Sequence, residues 1–141
     1  MVVVPLYESK IAAGQARLKE LDLDGVKVDA ALWYYFSDKE NWKLVLSLPD
    51  LIPIGPKVAY QEVQRVLLAV KPPIGIELAD ITVARPNSDP INLFRGVFRT
   101  TPDAIGQNRF TQCVFNGQLI EDALVYRLVP AGNGSRARRK A

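Results

Sequence analysis

The segment Leu32-Trp33-Tyr34-Tyr35-Phe36 carries a bulky side chain at every position, and that leaves few ways to fold it. Side chains alternate sides along a strand. Leu32, Tyr34 and Phe36 therefore point one way, and Trp33 and Tyr35 the other. A sheet with one wet face needs small polar residues on that face, and this strand has none. Both of its faces must be covered by helices, by a ligand or by another subunit. Trp42 follows after a short polar stretch, so five of the chain's twelve aromatic residues fall within positions 32–42.

The rest of the chain alternates between helix and strand signals. Pro5 to Leu21 reads as a first helix, with Ile11, Leu18 and Leu21 on one face and Lys10, Arg17, Lys19 and Glu20 polar. Gly25 supplies a left-handed end. Val26 to Phe36 and Trp42 to Leu48 read as a strand pair. Pro56 opens a second helix to about Val70, which Lys71-Pro72-Pro73 stops. Ile76 to Ala84 is a third strand, and Pro90 to Arg99 a third helix carrying Ile91, Phe94, Val97 and Phe98 inward. Asn116-Gly117 between two alternating runs is the strongest short-range hairpin signal. It pairs Arg109–Phe115 with Gln118–Leu128, setting Phe115 opposite Gln118, Cys113 opposite Ile120 and Thr111 opposite Asp122.

The order α-β-β-α-β-α-β-β predicts an α+β fold with a five-stranded, mixed, largely antiparallel sheet and helices mainly on one face. Residues 1–130 read as a single domain and 131–141 as a disordered basic tail. Three short helices are expected to leave one apolar sheet face uncovered, large enough to imply a homodimer, a protein partner or a pocket.

Composition narrows the chemistry. The chain has no histidine, which removes the commonest general acid/base and the commonest transition-metal ligand. A Ser-His-Asp or Cys-His apparatus is excluded within one chain. No cofactor or metal is expected, and an enzyme is disfavoured. Cys113 is the single cysteine, so no intrachain disulfide forms, and it is expected in the core. The N-terminus lacks the pattern of a signal peptide, and no apolar run approaches the length of a membrane span. A cytoplasmic setting is the expectation. The net charge of +3 comes from Arg136, Arg138, Arg139 and Lys140; the remainder is close to neutral.

The strings Leu32-Trp33-Tyr34-Tyr35-Phe36, Trp42-Lys43-Leu44, Gly55-Pro56, Asp80-Ile81-Thr82-Val83, Asn116-Gly117 and Ile120-Glu121-Asp122-Ala123 through Tyr126-Arg127 resemble a family of small uncharacterised bacterial proteins. The resemblance covers most of residues 27–128, without the first helix or the tail. It implies a bacterial, cytoplasmic accessory protein and assigns no chemistry.

Three sets of residues are candidates for function. Trp33, Tyr35 and Trp42 form the expected contact face, since aromatics dominate interfaces and cores alike. Core and interface together outweigh a stacking platform for bases. Asp80, Glu121 and Asp122 are acid/base or ligand candidates, should the third strand lie near the last hairpin. The ordinary alternative is a carboxylate bonded to Arg109, Arg127 or Thr111. Arg95 and Arg99, four apart on a helix, are candidates for an anion site, against the plainer reading of a solvated helix face. Arg136, Arg138, Arg139 and Lys140 could bind nucleic acid weakly. The leading expectation is a non-catalytic protein-interaction or self-associating module. Nucleic-acid binding through the tail, and a small-ligand binder or enzyme with a carboxylate in an aromatic-lined pocket, are the alternatives.

Overall fold

The structure is a computed structural model that describes residues 5–51, 53–69, 76, 78–85 and 88–130. Its elements are α1 (Glu8–Leu23), β1 (Ala30–Phe36), β2 (Asn41–Ser47), α2 (Pro56–Ala69), a 3-10 turn (Leu78–Asp80), β3 (Ile81–Ala84), α3 (Ile91–Arg95), β4 (Asn108–Phe115) and β5 (Gln118–Leu128). The α+β order and the five-stranded mixed sheet are those read from the sequence. The tail, residues 131–141, lies outside the described residues.

Local chemistry explains the boundaries. Gly25 takes φ +84°, and Val26 N–H donates to Leu21 O at 2.9 Å. This is the glycine-ended cap that satisfies the last carbonyls of α1. Asn116 and Gly117 take φ +53° and +79°, the pair of left-handed residues a two-residue hairpin turn needs. The register follows, with Phe115 opposite Gln118, Cys113 opposite Ile120 and Thr111 opposite Asp122. Three elements are several residues shorter than their patterns predict. Strand β1 begins at Ala30 and not at Val26. Helix α3 ends at Arg95, and β3 begins only at Ile81 after the 3-10 turn.

The sheet order is β3-β2-β1-β5-β4. Only β2 and β3 run parallel; the other pairs are antiparallel. The aromatic strand β1 is therefore central, and the chain itself covers both of its faces. Helices α1 and α2 pack Ile11, Leu18, Leu21, Ala59 and Val63 onto Trp33, Leu44, Leu46 and Tyr126. On the other face α3 packs Ile91, Leu93 and Phe94 onto Leu32, Val45 and Val125. Phe94 is the hub there, with ring centroids 5.2 Å from Phe110 and 5.3 Å from Phe115.

Strict alternation fails at two places, and each redirects side chains. The β1–β5 register shifts between Ala31 and Leu32, which face Arg127 and Val125. Tyr126 and Arg127 then both serve α1: the first bonds Ile11 and the second Asp22. In β4, Gln112 takes φ +50° and drops out of the ladder. Phe110, Cys113 and Phe115 consequently pack on the same core, although simple alternation would put Phe110 opposite the other two.

Candidate interaction surface

The expected contact face does not survive folding. Trp33 is 1% exposed and Tyr35 2%. Two of the three helices settle on their side of the sheet, not on the side of Leu32, Tyr34 and Phe36. The reason lies in α1. Gly14 presents no side chain where it crosses the sheet, so the helix sits directly against Trp33 and Tyr126. Trp33 Nε1 donates to Tyr126 Oη at 2.9 Å, and Tyr126 Oη donates to Ile11 O at 2.6 Å. Burial pushes the Tyr126 phenol well above its ordinary pKa, while the Trp33 bond pulls it slightly down. Trp42 is half-buried at the rim. Its ring lies 5.5 Å from that of Tyr35, and the Arg109 guanidinium stands 5.8 Å from its centre. The Tyr35 hydroxyl is buried with no partner among the described residues.

The three carboxylates are not brought together. Asp80 ends the 3-10 turn before β3 and pairs with Lys10 at 3.4 Å. Asp122 lies on β5, with β2 and β1 between it and β3. Three strand spacings put the two about 14 Å apart. Asp122 accepts two bonds from Arg109, from Nε at 2.6 Å and Nη2 at 2.7 Å. That fork raises the Arg109 pKa against its own burial. Glu121 is half-buried. Burial first, then the charges of Asp89 and Glu121, push Tyr34 up.

The paired arginines also separate. Arg95 is 7% exposed and donates to Val129 O at 2.8 Å and to Asp29 at 3.3 Å. Because α3 stops at Arg95, Arg99 is not on the helix and stays exposed. Four-residue spacing brings side chains together only within a helix, so the two form no joint anion site. Arg136, Arg138, Arg139 and Lys140 lie outside the described residues. An open cleft of about 300 Å³ is lined by Asp22, Lys27, Asp29 and Arg127 among others. Its charges are largely satisfied within the chain: both Arg127 Nη atoms reach Asp22, at 3.0 and 2.8 Å.

Tyr7, Leu23, Ile54 and Val97 are exposed on separate elements and loops, whereas hairpin β4–β5 exposes two apolar residues side by side. Val114 and Leu119 face each other in register and are 65% and 53% exposed. The opposite face of the same hairpin is held in the core by Phe110, Cys113, Phe115 and Ile120. Cys113 is half-buried and its Sγ donates to Thr111 O at 3.3 Å. Among the described residues no strand pairs with the outer side of β4, so a row of its backbone donors and acceptors is open. A signal for this surface was present in the sequence. Residues 110–120 are its longest run without a charge. Arg109, which borders the run, is taken up by Asp122 and Trp42.

Comparison with protein-family models, curated proteins and solved structures finds no match to this chain. Among the described residues, no group of three His, Cys, Asp or Glu is placed to hold a metal ion. No helix there is long and apolar enough to cross a membrane.

Proposed function

We propose that the protein is a non-catalytic, self-associating module, a homodimer joined through hairpin β4–β5. One observation carries the reading: β4, one of the two edge strands of the sheet, coincides with the longest uncharged run of the sequence, and its hairpin with β5 exposes Val114 and Leu119. Isolated proteins usually protect such an edge with lysine, proline or a covering loop. Among the described residues the device at this edge is the break at Gln112. A second copy suits the surface because a two-fold contact brings each patch onto itself, and an uncharged patch meets no like charge there. Pairing of β4 with its counterpart supplies backbone hydrogen bonds, and Val114 and Leu119 supply apolar area. Trp33 and Tyr35 are buried and have no part in the contact; Trp33 packs against α1, and Tyr35 against Trp42. A cytoplasmic place of action fits, since one cysteine asks for no oxidising compartment.

Sedimentation equilibrium tests this. At about 100 µM, a hundredfold above a micromolar dissociation constant, the chain should run as a dimer. Val114→Lys with Leu119→Lys should run as a monomer of unchanged thermal stability, since exposed substitutions of this kind shift stability by within about 0.5 kcal/mol. A wild-type monomer at that concentration, or a double variant that stays dimeric, would refute the reading.

A further inference from the structure

Arg17 reads as part of the polar side of α1, yet it is 3% exposed. Its Nε and Nη1 are buried and donate to no partner among the described residues. Burial lowers its pKa, against a smaller opposing effect of Glu20. Glu20, three residues on, acts on this charge without bonding those two nitrogens, and buried N–H donors left unpaired are costly, so the surroundings of this residue call for an anion.

The position of Arg17 says where that anion would sit. Lys10, Arg17 and Asp24 are spaced by seven residues along α1 and its C-cap, so they share one stripe of the helix, about 10 Å apart from one to the next. Both outer members of the stripe are ion-paired across to the neighbouring layer. Lys10 meets Asp80 of the 3-10 turn at 3.4 Å, and Asp24 meets Arg65 of α2. The turn and α2 are packed together. The stripe is thus a ladder of charge pairs between α1 and its neighbours, and its middle rung is a cation whose Nε and Nη1 reach no acceptor among the described residues.

We propose that Arg17 is an anion-binding site at the seam of α1 and α2, closed by a small oxyanion, the phosphate or carboxylate group of a ligand. Planar guanidinium groups favour such oxyanions over spherical ions, because their N–H donors match paired oxygens. The site is separate from the β4–β5 surface, since Arg17 is on α1 whereas Val114 and Leu119 are on the hairpin.

The test is a titration of the full chain with inorganic phosphate, and separately with acetate, against sodium chloride at matched ionic strength. The Arg17 Nε–H resonance should move saturably with phosphate, with acetate or with both; whichever acts identifies the group. At a hundred times its dissociation constant that anion should raise the folded-to-unfolded ratio about a hundredfold. Arg17→Met keeps the volume and removes the charge. It should be more stable than wild type without the anion, and the anion should close that gap. Non-specific salting effects act on both proteins alike. An Nε–H resonance unmoved by either oxyanion overturns the site, and so does a shift reproduced by chloride at equal concentration. A stability gap between wild type and Arg17→Met that no anion changes overturns it as well.

Discussion

At Gly14, helix propensity and packing pull in opposite directions. Glycine inside a helix is about 1 kcal/mol less favourable than alanine, so Gly14→Ala looks stabilising on the helix alone. The structure reverses the sign. A Cβ at position 14 would collide with Tyr126 Oη and lie 2.8 Å from Trp33 Nε1 and 2.9 Å from Tyr126 Cε2. Neither ring can yield freely. Trp33 and Tyr126 are 1% and 0% exposed and are tied to each other and to Ile11 O. Overpacking costs about 1–3 kcal/mol. Parting the two hydrogen bonds costs about 1 kcal/mol each. Subtracting the propensity gain leaves a net loss of about 2–4 kcal/mol. With a urea slope of about 1.5 kcal/mol/M the unfolding midpoint should fall by about 1–3 M. Tyr126→Phe removes the oxygen the methyl group meets first, so the double variant should be less destabilised than the sum of the singles, by at least about 1 kcal/mol. A Gly14→Ala midpoint at or above wild type would refute the close approach of α1 to the sheet.

Two further outcomes follow from the same core. Folding holds the Tyr126 proton far above the ordinary phenol value of about 10. The unfolded chain releases it first, so this stability is complete below about pH 10 and is lost as pH rises, at about 1.4 kcal/mol per unit. Between pH 9 and 11 the wild type should lose about 1.4 kcal/mol in total more than Tyr126→Phe does, and an equal loss in the two counts against the buried neutral phenol. Arg127, 2% exposed at its side chain, serves Asp22, Val28 O and Ala104 O together. Arg127→Met should cost about 3 kcal/mol in chemical denaturation by stranding those acceptors; a loss under about 1 kcal/mol would show that water replaces them.

Local signals in the sequence carried as far as local chemistry does. Asn116-Gly117 determined its own turn and thereby the whole β4–β5 register, because left-handed backbone at two successive positions admits one connection. Gly25 ended α1 for a similar reason. Which helix covers which sheet face was not readable, since that depends on contacts such as Tyr126 to Ile11, far apart along the chain. Gly14 held a clue, because a side-chain-free position mid-helix marks a close approach. The polar look of Arg17 misled because burial depends on tertiary packing, which residue type alone does not reveal. Reading Trp33 and Tyr35 as an exposed face went astray as well, since both are buried. Aromatic bulk in β1 measures how much must be buried, and α1, α2 and α3 bury it. The absence of charge over 110–120 concerns what a surface can meet, and that run lies on the sheet's open edge.

The bond between Trp33 and Tyr126 spans 93 residues and that between Tyr126 and Ile11 spans 115. A ribosome adding about 5–20 residues per second needs about 5–20 s to travel from the first tryptophan to that tyrosine. Throughout that interval α1 lacks its final anchor, and β1 lacks its neighbour β5 on one side. The most aromatic stretch of the chain is therefore held open during synthesis until almost the last strand arrives. Folding of this protein is a closing event, in which a late hairpin seals an early helix.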